Sequence, residues 1–298
     1  DLVEYCNSPT GTYYADLRAK HGYPEPHNVK YWCVGNEMDG PWQNGHKNAQ
    51  EYARTALEAA KVMRWTSQDL TLAACGSSNR EMATYGAWEH EVLEHCFEAV
   101  EFISLHQYFD NCDDDLAKFF AHVDKLDSFI TEVAAIADGV AARRRSRKRI
   151  MLSMDEWNVW YRARTPADLA KPGWPRAPKL LEEVYNFEDA LVVGGALITL
   201  INHADRVKSA CLAQLVNVIG AIMTETGGPA WRQTIFHPFA QASRLARGNV
   251  LRLVTDCGSF RAGDYATAPL LLATAVYDPA SGRVAVFALN RSREAMTL

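Results

Sequence analysis

Residues 151–158 read MLSMDEWN and residues 32–37 read WCVGNE, and these two stretches decide the fold class. Each is a short apolar run that ends in a glutamate with polar and aromatic neighbours. An apolar run of this length is typical of a buried strand. The sequence therefore predicts two strands inside a sheet, with Glu37 and Glu156 at its rim, where solvent can reach them.

Between residues 29 and 218, short apolar runs alternate with longer amphipathic ones. The predicted strands cover residues 29–34, 70–75, 102–108, 150–154 and 209–218. The predicted helices cover residues 49–63, 88–99, 116–142 and 187–203. In the third helix apolar residues recur every three or four positions, which indicates one buried face. Alternation of strand and helix favours a parallel sheet with helices outside it.

Repetition of this unit leaves two architectures, a doubly wound sheet or a (β/α)8 barrel. No GxGxxG or GxxxxGK[ST] motif opens any predicted helix, which removes the usual nucleotide-binding reason for a doubly wound sheet. Polar side chains follow several different strands, as they do on the catalytic face of a barrel. These residues are Asn36, Glu37, Ser77, Asn79, His106, Tyr108, Glu156, Gln214 and Asn217. We therefore predict an α/β barrel.

After residue 248 the pattern changes. A predicted helix over residues 235–246 is followed by short apolar segments at 250–254, 270–277 and 284–289, separated by Gly, Asp, Pro and Ser. Residues 278–282, DPASG, are typical of a tight hairpin connection. The sequence therefore predicts a barrel domain over residues 1–248 and the start of an antiparallel β-sandwich over residues 249–298.

Composition excludes several classes of function. The formal net charge is −5, and no apolar run reaches the about 18 residues of a membrane helix, so neither nucleic acid nor a membrane is an expected partner. The basic run at 143–149 is interpreted as a solvated loop. Three of the seven cysteines, Cys33, Cys75 and Cys211, lie in apolar runs, which predicts reduced, buried thiols in a cytoplasmic protein. No histidine spacing indicates a metal site.

Two carboxyls at one sheet rim suit the hydrolysis of a glycosidic bond. Retaining enzymes hold two carboxyls about 5–5.5 Å apart, one protonated and the other ionised. These residues alone do not decide which glutamate plays which part. An ionised Glu156 is expected to raise the pKa of Glu37, because a second negative charge close by is unfavourable.

Four segments resemble one family. Residues 30–43, KYWCVGNEMDGPWQ, resemble the acid/base signature of the family 51 α-L-arabinofuranosidases, and residues 155–161, DEWNVWY, resemble the nucleophile signature. Residues 104–108 and 213–217 match its later strand motifs in the same order. That family has a (β/α)8 barrel with a C-terminal β-sandwich. The resemblance implies a partial barrel here, lacking the first three strands, and only part of the sandwich.

The resemblance implies that Glu37 is the general acid/base and Glu156 the nucleophile. Tyr108 resembles the family's tyrosine that hydrogen-bonds the nucleophile. His106 lies two residues earlier, on the same face of the predicted strand, and is expected to orient a catalytic glutamate.

Four further residues are expected to contact the sugar. Gln214 resembles a family contact to a sugar hydroxyl, and Asn36 resembles the asparagine that reaches the 2-hydroxyl. Since side chains alternate along a strand, Asn36 should point away from Glu37 unless a bulge re-aims it. Trp42 and Trp160 are interpreted as walls of the sugar subsites, because apolar sugar faces stack on aromatic rings.

The resemblance implies a retaining, exo-acting α-L-arabinofuranosidase. It would remove terminal non-reducing arabinofuranosyl residues from arabinan, arabinoxylan or their oligosaccharides by double displacement, without a cofactor. Two alternatives stay open: a related clan A glycosidase of other specificity, such as an endo-glucanase or xylosidase, and a non-catalytic carbohydrate-binding fragment. Family members are commonly oligomers, so a homo-oligomer is an expectation for the full-length protein.

Overall fold

The structure, a computed structural model, describes residues 1–161, 173 and 182–297. The helices in this part of the chain are α1 (Leu2–Asn7), α2 (Tyr13–Lys20), α3 (Ala49–Thr66), α4 (Ala87–Cys96), α5 (Leu116–Arg143), α6 (Phe187–Asn202) and α7 (Phe236–Leu245). The strands are β1 (Tyr31–Val34), β2 (Thr71–Ala74), β3 (Phe102–Phe109), β4 (Met151–Val159), β5 (Val207–Leu212), β6 (Ile222–Thr224), β7 (Ala230–Arg232), β8 (Asn249–Leu251), β9 (Ser259–Ala262), β10 (Tyr265–Pro269), β11 (Leu271–Asp278) and β12 (Arg283–Asn290).

The first five strands form one sheet in the order β1-β2-β3-β4-β5. Strand β1 pairs with β2 in parallel, and β2 pairs with β3 in parallel. The order follows the chain and does not reverse, whereas a doubly wound sheet reverses at a switch point. The fold is therefore α/β, with a parallel sheet whose neighbouring strands are connected through helices, followed by antiparallel sheets.

The chain divides into two compact units. The first comprises Asp1–His106 and Thr131–Ser153, and the second comprises Gln107–Ile130 and Met154–Leu298. The predicted domain boundary near residue 248 stays a prediction. No helix of the described residues is long and apolar enough to cross a bilayer.

In the first unit, one tyrosine ties helix α3 to the end of strand β1. Helix α3 begins at a capping box formed by Asn48 and Glu51, which satisfies its first backbone N–H groups. The buried Tyr52 of this helix stacks on Trp88 with ring centroids 5.4 Å apart. Its hydroxyl donates to the carbonyl of Val34 at 2.5 Å, at the end of β1. This contact holds the segment that carries the first glutamate.

The first unit also contains a buried arginine, Arg18. It lies in helix α2, which was not predicted from the sequence. Arg18 is fully buried, and its guanidinium donates four hydrogen bonds of 2.6–2.9 Å to backbone carbonyls. A buried cation needs such partners because its desolvation is costly. The acceptors are the carbonyls of Tyr5, Ser8, Tyr23 and Pro24.

The second unit contains the antiparallel sheets. Strands β12, β11 and β8 form a three-stranded sheet, and β6–β7 and β9–β10 form two hairpins. The predicted hairpin at 278–282 is confirmed: Asp278 pairs with Arg283, and Gly282 has a φ of +69°. Gly195 of α6 allows close packing, since a Cβ there would lie 3.1 Å from the side chain of Leu289 in β12.

Two strand ends differ from the predictions. Strand β4 continues to Val159 instead of ending at residue 154, so Glu156 lies within the strand. Strand β5 ends at Leu212, so Gln214 lies in the following loop rather than on a strand. Helices α1 and α2 and the hairpins β6–β7 and β9–β10 were not predicted.

The prediction of buried thiols is wrong for two of the three cysteines. None of the seven cysteines forms a disulfide, and Cys75 is buried, but Cys33 and Cys211 are exposed. Cys33 lies on β1, the first strand in the sheet order, where exposed and half-buried residues alternate. An apolar run therefore does not guarantee burial on both faces.

Candidate active site

The turn after β1 carries the first glutamate. Strand β1 ends at Val34, Gly35 has a φ of +118°, and Glu37 has a φ of +47°. A Cβ on Gly35 would lie 3.0 Å from the side chain of Met38. This position therefore requires glycine both for its positive φ and for the lack of space. Asn36, which is exposed, and Glu37, which is half-buried, thus lie in a turn beyond the strand, so strand alternation does not set the directions of their side chains.

Glu37 has a hydrogen-bonding partner on each carboxylate oxygen. The indole Nε1 of Trp42 donates to Oε2 at 2.5 Å. The Nδ1 of His106, on β3, lies 3.0 Å from Oε1, and the side chains of His106 and Glu37 are 5% and 14% exposed. An ionised carboxylate can only accept, so Nδ1 is the donor when Glu37 is charged.

These contacts decide the ionisation of Glu37. Burial raises the pKa of Glu37, but hydrogen bonds from His106 and Trp42, the charge of His106 and a hydrogen bond from Gln43 outweigh it, and the pKa is lowered from 4.5. The expectation of a raised pKa is therefore wrong for this structure. It counted a neighbouring negative charge and left out the donors that stabilise the carboxylate.

The segment beyond Glu37 is held by buried polar contacts. The carboxylate of Asp39 is buried and accepts hydrogen bonds from the backbone N–H of Ser78, at 3.0 Å, and from its hydroxyl. The N–H of Lys47 donates to the carbonyl of Met38 at 2.9 Å. The loop that bears Trp42 is thereby closed at both ends.

The second glutamate lies on β4 with an aromatic pair. Glu156 is half-buried, and the hydroxyl of Tyr108, on β3, donates to its Oε1. The ring of Trp160 packs edge-on against Tyr108, with centroids 4.8 Å apart at 64°. The N–H of Trp160 donates to the carbonyl of Phe109 at 2.8 Å, which continues the contact between the ends of the two strands.

The exposed Gln214 lies in a loop that a buried asparagine holds. Asn158 follows Glu156 by two residues and is fully buried. Its amide donates to the carbonyls of Ala213, at 2.5 Å, and Ile219, at 2.7 Å. These acceptors lie on either side of Gln214 in the chain, so Asn158 fixes both ends of its loop.

Two more buried side chains hold the same loop. The hydroxyl of Tyr185 donates to the carbonyl of Ile219 at 3.1 Å, and the amide of Gln233 donates to the carbonyl of Gly220 at 2.9 Å. No role was predicted from the sequence for these residues or for Asn158. Asn158 lies inside the segment 155–161, so the resemblance of that segment to the nucleophile signature was a signal for its importance. Nothing in the sequence pattern marked Tyr185 or Gln233.

The predicted residues thus form two carboxylate clusters, each within one unit. In the first unit Glu37 is bonded by Trp42 and His106. In the second unit Glu156 is bonded by Tyr108, which packs on Trp160. Asn36 is exposed beside Glu37, and Gln214 is exposed on its loop.

Two hydrogen-bonded glutamates, one in the turn after β1 and one on β4, are the pair of carboxyls that glycoside hydrolases use. Two family models match the chain: the α-L-arabinofuranosidase 1 domain over residues 1–128 and the α-L-arabinofuranosidase C-terminal domain over residues 155–297. The chain belongs to the family 51 α-L-arabinofuranosidases.

Several proteins similar to this chain in sequence and in structure are α-L-arabinofuranosidases. An intracellular exo-α-(1→5)-L-arabinofuranosidase of Halalkalibacterium halodurans is 54% identical over 98% of this chain, and one of Bacillus subtilis is 51% identical over 99%. The family 51 α-L-arabinofuranosidase AbfB of Bifidobacterium longum superposes with a TM-score of 0.92 at 40% identity over 97% of this chain and 58% of its own. The α-L-arabinofuranosidase of Thermotoga maritima, solved as an arabinose complex, gives 0.79 at 31%, over 96% and 57%. The chain spans 58% and 59% of the length of the two curated relatives.

Proposed function

We propose that this protein is a retaining, exo-acting α-L-arabinofuranosidase. It would remove terminal non-reducing arabinofuranosyl residues from arabinan, arabinoxylan or their oligosaccharides. The observation that carries the proposal is the hydrogen bonding of the two glutamates: β3 supplies His106 to Glu37 and Tyr108 to Glu156. The names of the relatives, intracellular exo-α-(1→5)-L-arabinofuranosidases, support the substrate class and a cytoplasmic location.

The two glutamates would divide the reaction between them. The Glu156 carboxylate attacks the anomeric carbon while protonated Glu37 gives its proton to the leaving oxygen, and the glycosidic bond breaks. The ester to Glu156 no longer carries a negative charge. Ionised Glu37 then takes a proton from water, whose oxygen attacks the anomeric carbon and releases Glu156. The low pKa of Glu37, due to its donors despite burial, suits this second step.

Other residues would position the sugar and the two glutamates. His106 and Tyr108 orient the glutamates. The proposed sugar contacts are Asn36, Trp42, Trp160 and Gln214. No cofactor enters this scheme. We further propose that the parallel sheet is part of a (β/α)8 barrel over residues 1–248, and that residues 249–298 begin a β-sandwich. A homo-oligomer remains a proposal for the full-length protein.

Hydrolysis of p-nitrophenyl α-L-arabinofuranoside tests the function. Glu156→Ala should lose turnover by about 10⁴-fold or more, as expected for a lost nucleophile. Glu37→Ala should keep much of its rate on this good leaving group and gain rate with azide, which needs no general base. Near-normal turnover by Glu156→Ala would refute the assignment.

The same assay separates the alternatives. A panel of nitrophenyl glycosides should give the arabinofuranoside the highest kcat/KM. A preference for a glucoside or xyloside would favour a different specificity. Binding of arabino-oligosaccharide by the folded chain without hydrolysis, both here and in a form extended to the relatives' length, would favour the non-catalytic alternative.

A further inference from the structure

Trp42 combines exposure with a specific polar contact. The side chain is 55% exposed, so much of its ring faces solvent. Its Nε1–H nevertheless donates to Oε2 of Glu37 at 2.5 Å. The indole nitrogen is a donor only, so this contact suits a carboxylate oxygen without a proton. A residue that served only as a stacking wall would not need this contact.

The chain between the two residues is shaped for this contact. The N–H of Gly40 donates to the carbonyl of Glu37 at 2.9 Å, and the N–H of Gln43 donates to the carbonyl of Gly40 at 3.0 Å. A Cβ on Gly40 would lie 2.4 Å from Cε2 and 2.5 Å from Cζ2 of Trp42. Such distances are far inside contact, so only glycine leaves room for the ring to lie against the backbone.

We propose that Trp42 is a positioning residue for Glu37. The indole N–H of Trp42 keeps Oε2 of Glu37 as a hydrogen-bond acceptor, and Gly40 provides the space for the ring. The proposal rests on the proposed function for its meaning in catalysis. Since the indole cannot accept, the proton of the acid form lies on Oε1. The Nδ1 of His106 faces that oxygen and can accept or donate according to its tautomer.

A test must separate the effect of Trp42 on the pKa of Glu37 from the effects of the other groups near its carboxylate. Within the first unit these are His106, Trp42 and Gln43, and the proposed function adds Glu156 of the second unit. Burial raises the pKa of Glu37, and the donors more than offset it. Loss of the Trp42 donor should therefore raise that pKa, because a hydrogen bond to the charged form is removed.

The hydrogen bond between Trp42 and Glu37 can be tested spectroscopically, without an activity assay. The chain contains eight tryptophans, and a proton–nitrogen correlation spectrum shows one indole signal for each. The signal that disappears in Trp42→Phe is that of Trp42. It should move with pH about a midpoint below 4.5, the ordinary value for Glu37, and Glu37→Gln should abolish the movement. The other seven signals show whether the chain stays folded during the titration.

A matched tryptophan and a second variant complete the design. The carbon-13 signal of the Glu37 carboxyl should titrate at higher pH in Trp42→Phe and in Gly40→Ala. It should be unchanged in Trp65→Phe, since Trp65 is 82% exposed on α3. A pH-independent Trp42 signal, or an unchanged Glu37 midpoint in a folded Trp42→Phe, would overturn the proposal.

Activity supplies a separate readout. In Trp42→Phe the alkaline limb of kcat/KM, which requires protonated Glu37, should move to higher pH, because the raised pKa keeps the acid form to higher pH. A mere stacking wall would raise KM and leave the limb in place, which would also count against the proposal. Absence of hydrolysis with an intact indole titration would refute the proposed function alone.

Discussion

Replacement of Asn158 by alanine should loosen the loop that carries Gln214. Asn158 is fully buried, and its amide nitrogen donates to the carbonyls of Ala213 and Ile219. Its Oδ1 also accepts from the N–H of Val159 at 2.8 Å. Alanine removes both donors and the acceptor, and no water can reach the carbonyl of Ile219 without a rearrangement of the loop, since Ile219 is buried.

The magnitude follows from these bonds. Each of the three lost hydrogen bonds costs about 1 kcal/mol net, and the Tyr185 hydroxyl, 3.1 Å from the carbonyl of Ile219, still donates to that carbonyl. Ala213 is half-buried, so water can replace part of its lost contact. The expected decrease in the free energy of unfolding is therefore about 2–4 kcal/mol. At about 2–4 °C per kcal/mol, the melting temperature should fall by roughly 4–16 °C.

Calorimetry of the two forms measures this change, and two further variants sharpen it. Asn158→Asp keeps the size but points an oxygen at two carbonyl oxygens, so it should destabilise at least as much. Asn249→Ala, at an exposed position of the same unit, should change the free energy of unfolding by less than about 0.5 kcal/mol. A melting temperature of Asn158→Ala within about 1 °C of wild type would refute the reasoning.

Two further substitutions test the packing of the first unit by thermal melting. Arg18→Met removes four donors to backbone carbonyls and should cost about 3 kcal/mol or more, whereas Arg54→Met, at an exposed position, should cost less than about 0.5 kcal/mol. Equal melting of these two variants would contradict a structural role for Arg18. Gly76→Ala should destabilise by at least about 1–3 kcal/mol, because its Cβ would lie 2.0 Å from a backbone oxygen, while Gly139→Ala, with open space in α5, should stabilise by up to about 1 kcal/mol.

The sheet and its helices could be predicted because each has a local period. The run of apolar residues in α5 and the alternating segments around it follow the spacing of buried positions. Helix α2 escaped because its buried residues are Ala15 and Arg18, so it lacks an apolar stripe. Its packing depends on where four carbonyls outside the helix lie, and no pattern within the helix encodes that.

Strand β4 shows how a functional position weakens a local signal. The acidic pair Asp155 and Glu156 interrupts the apolar run, and the predicted strand stopped before it. The strand continues because Trp157, Asn158 and Val159 beyond the pair are buried. A strand that must present a carboxylate therefore departs from its burial pattern at that residue.

The candidate site was predicted as a set of residue types, whereas its electrostatics depended on backbone geometry. The motif placed a tryptophan five residues after Glu37, but only the left-handed φ of Glu37 and the absent side chain of Gly40 let that ring return to the carboxylate. A charge count could not include the resulting donor, so it gave the wrong direction for the pKa of Glu37. A glutamate in a turn, followed by a glycine and then a tryptophan, is a pattern in which a donor contact to the carboxylate deserves to be weighed before a stacking role. The Trp42 indole signal is therefore a direct probe, since it reports the ionisation of Glu37 through one of the contacts that lower its pKa.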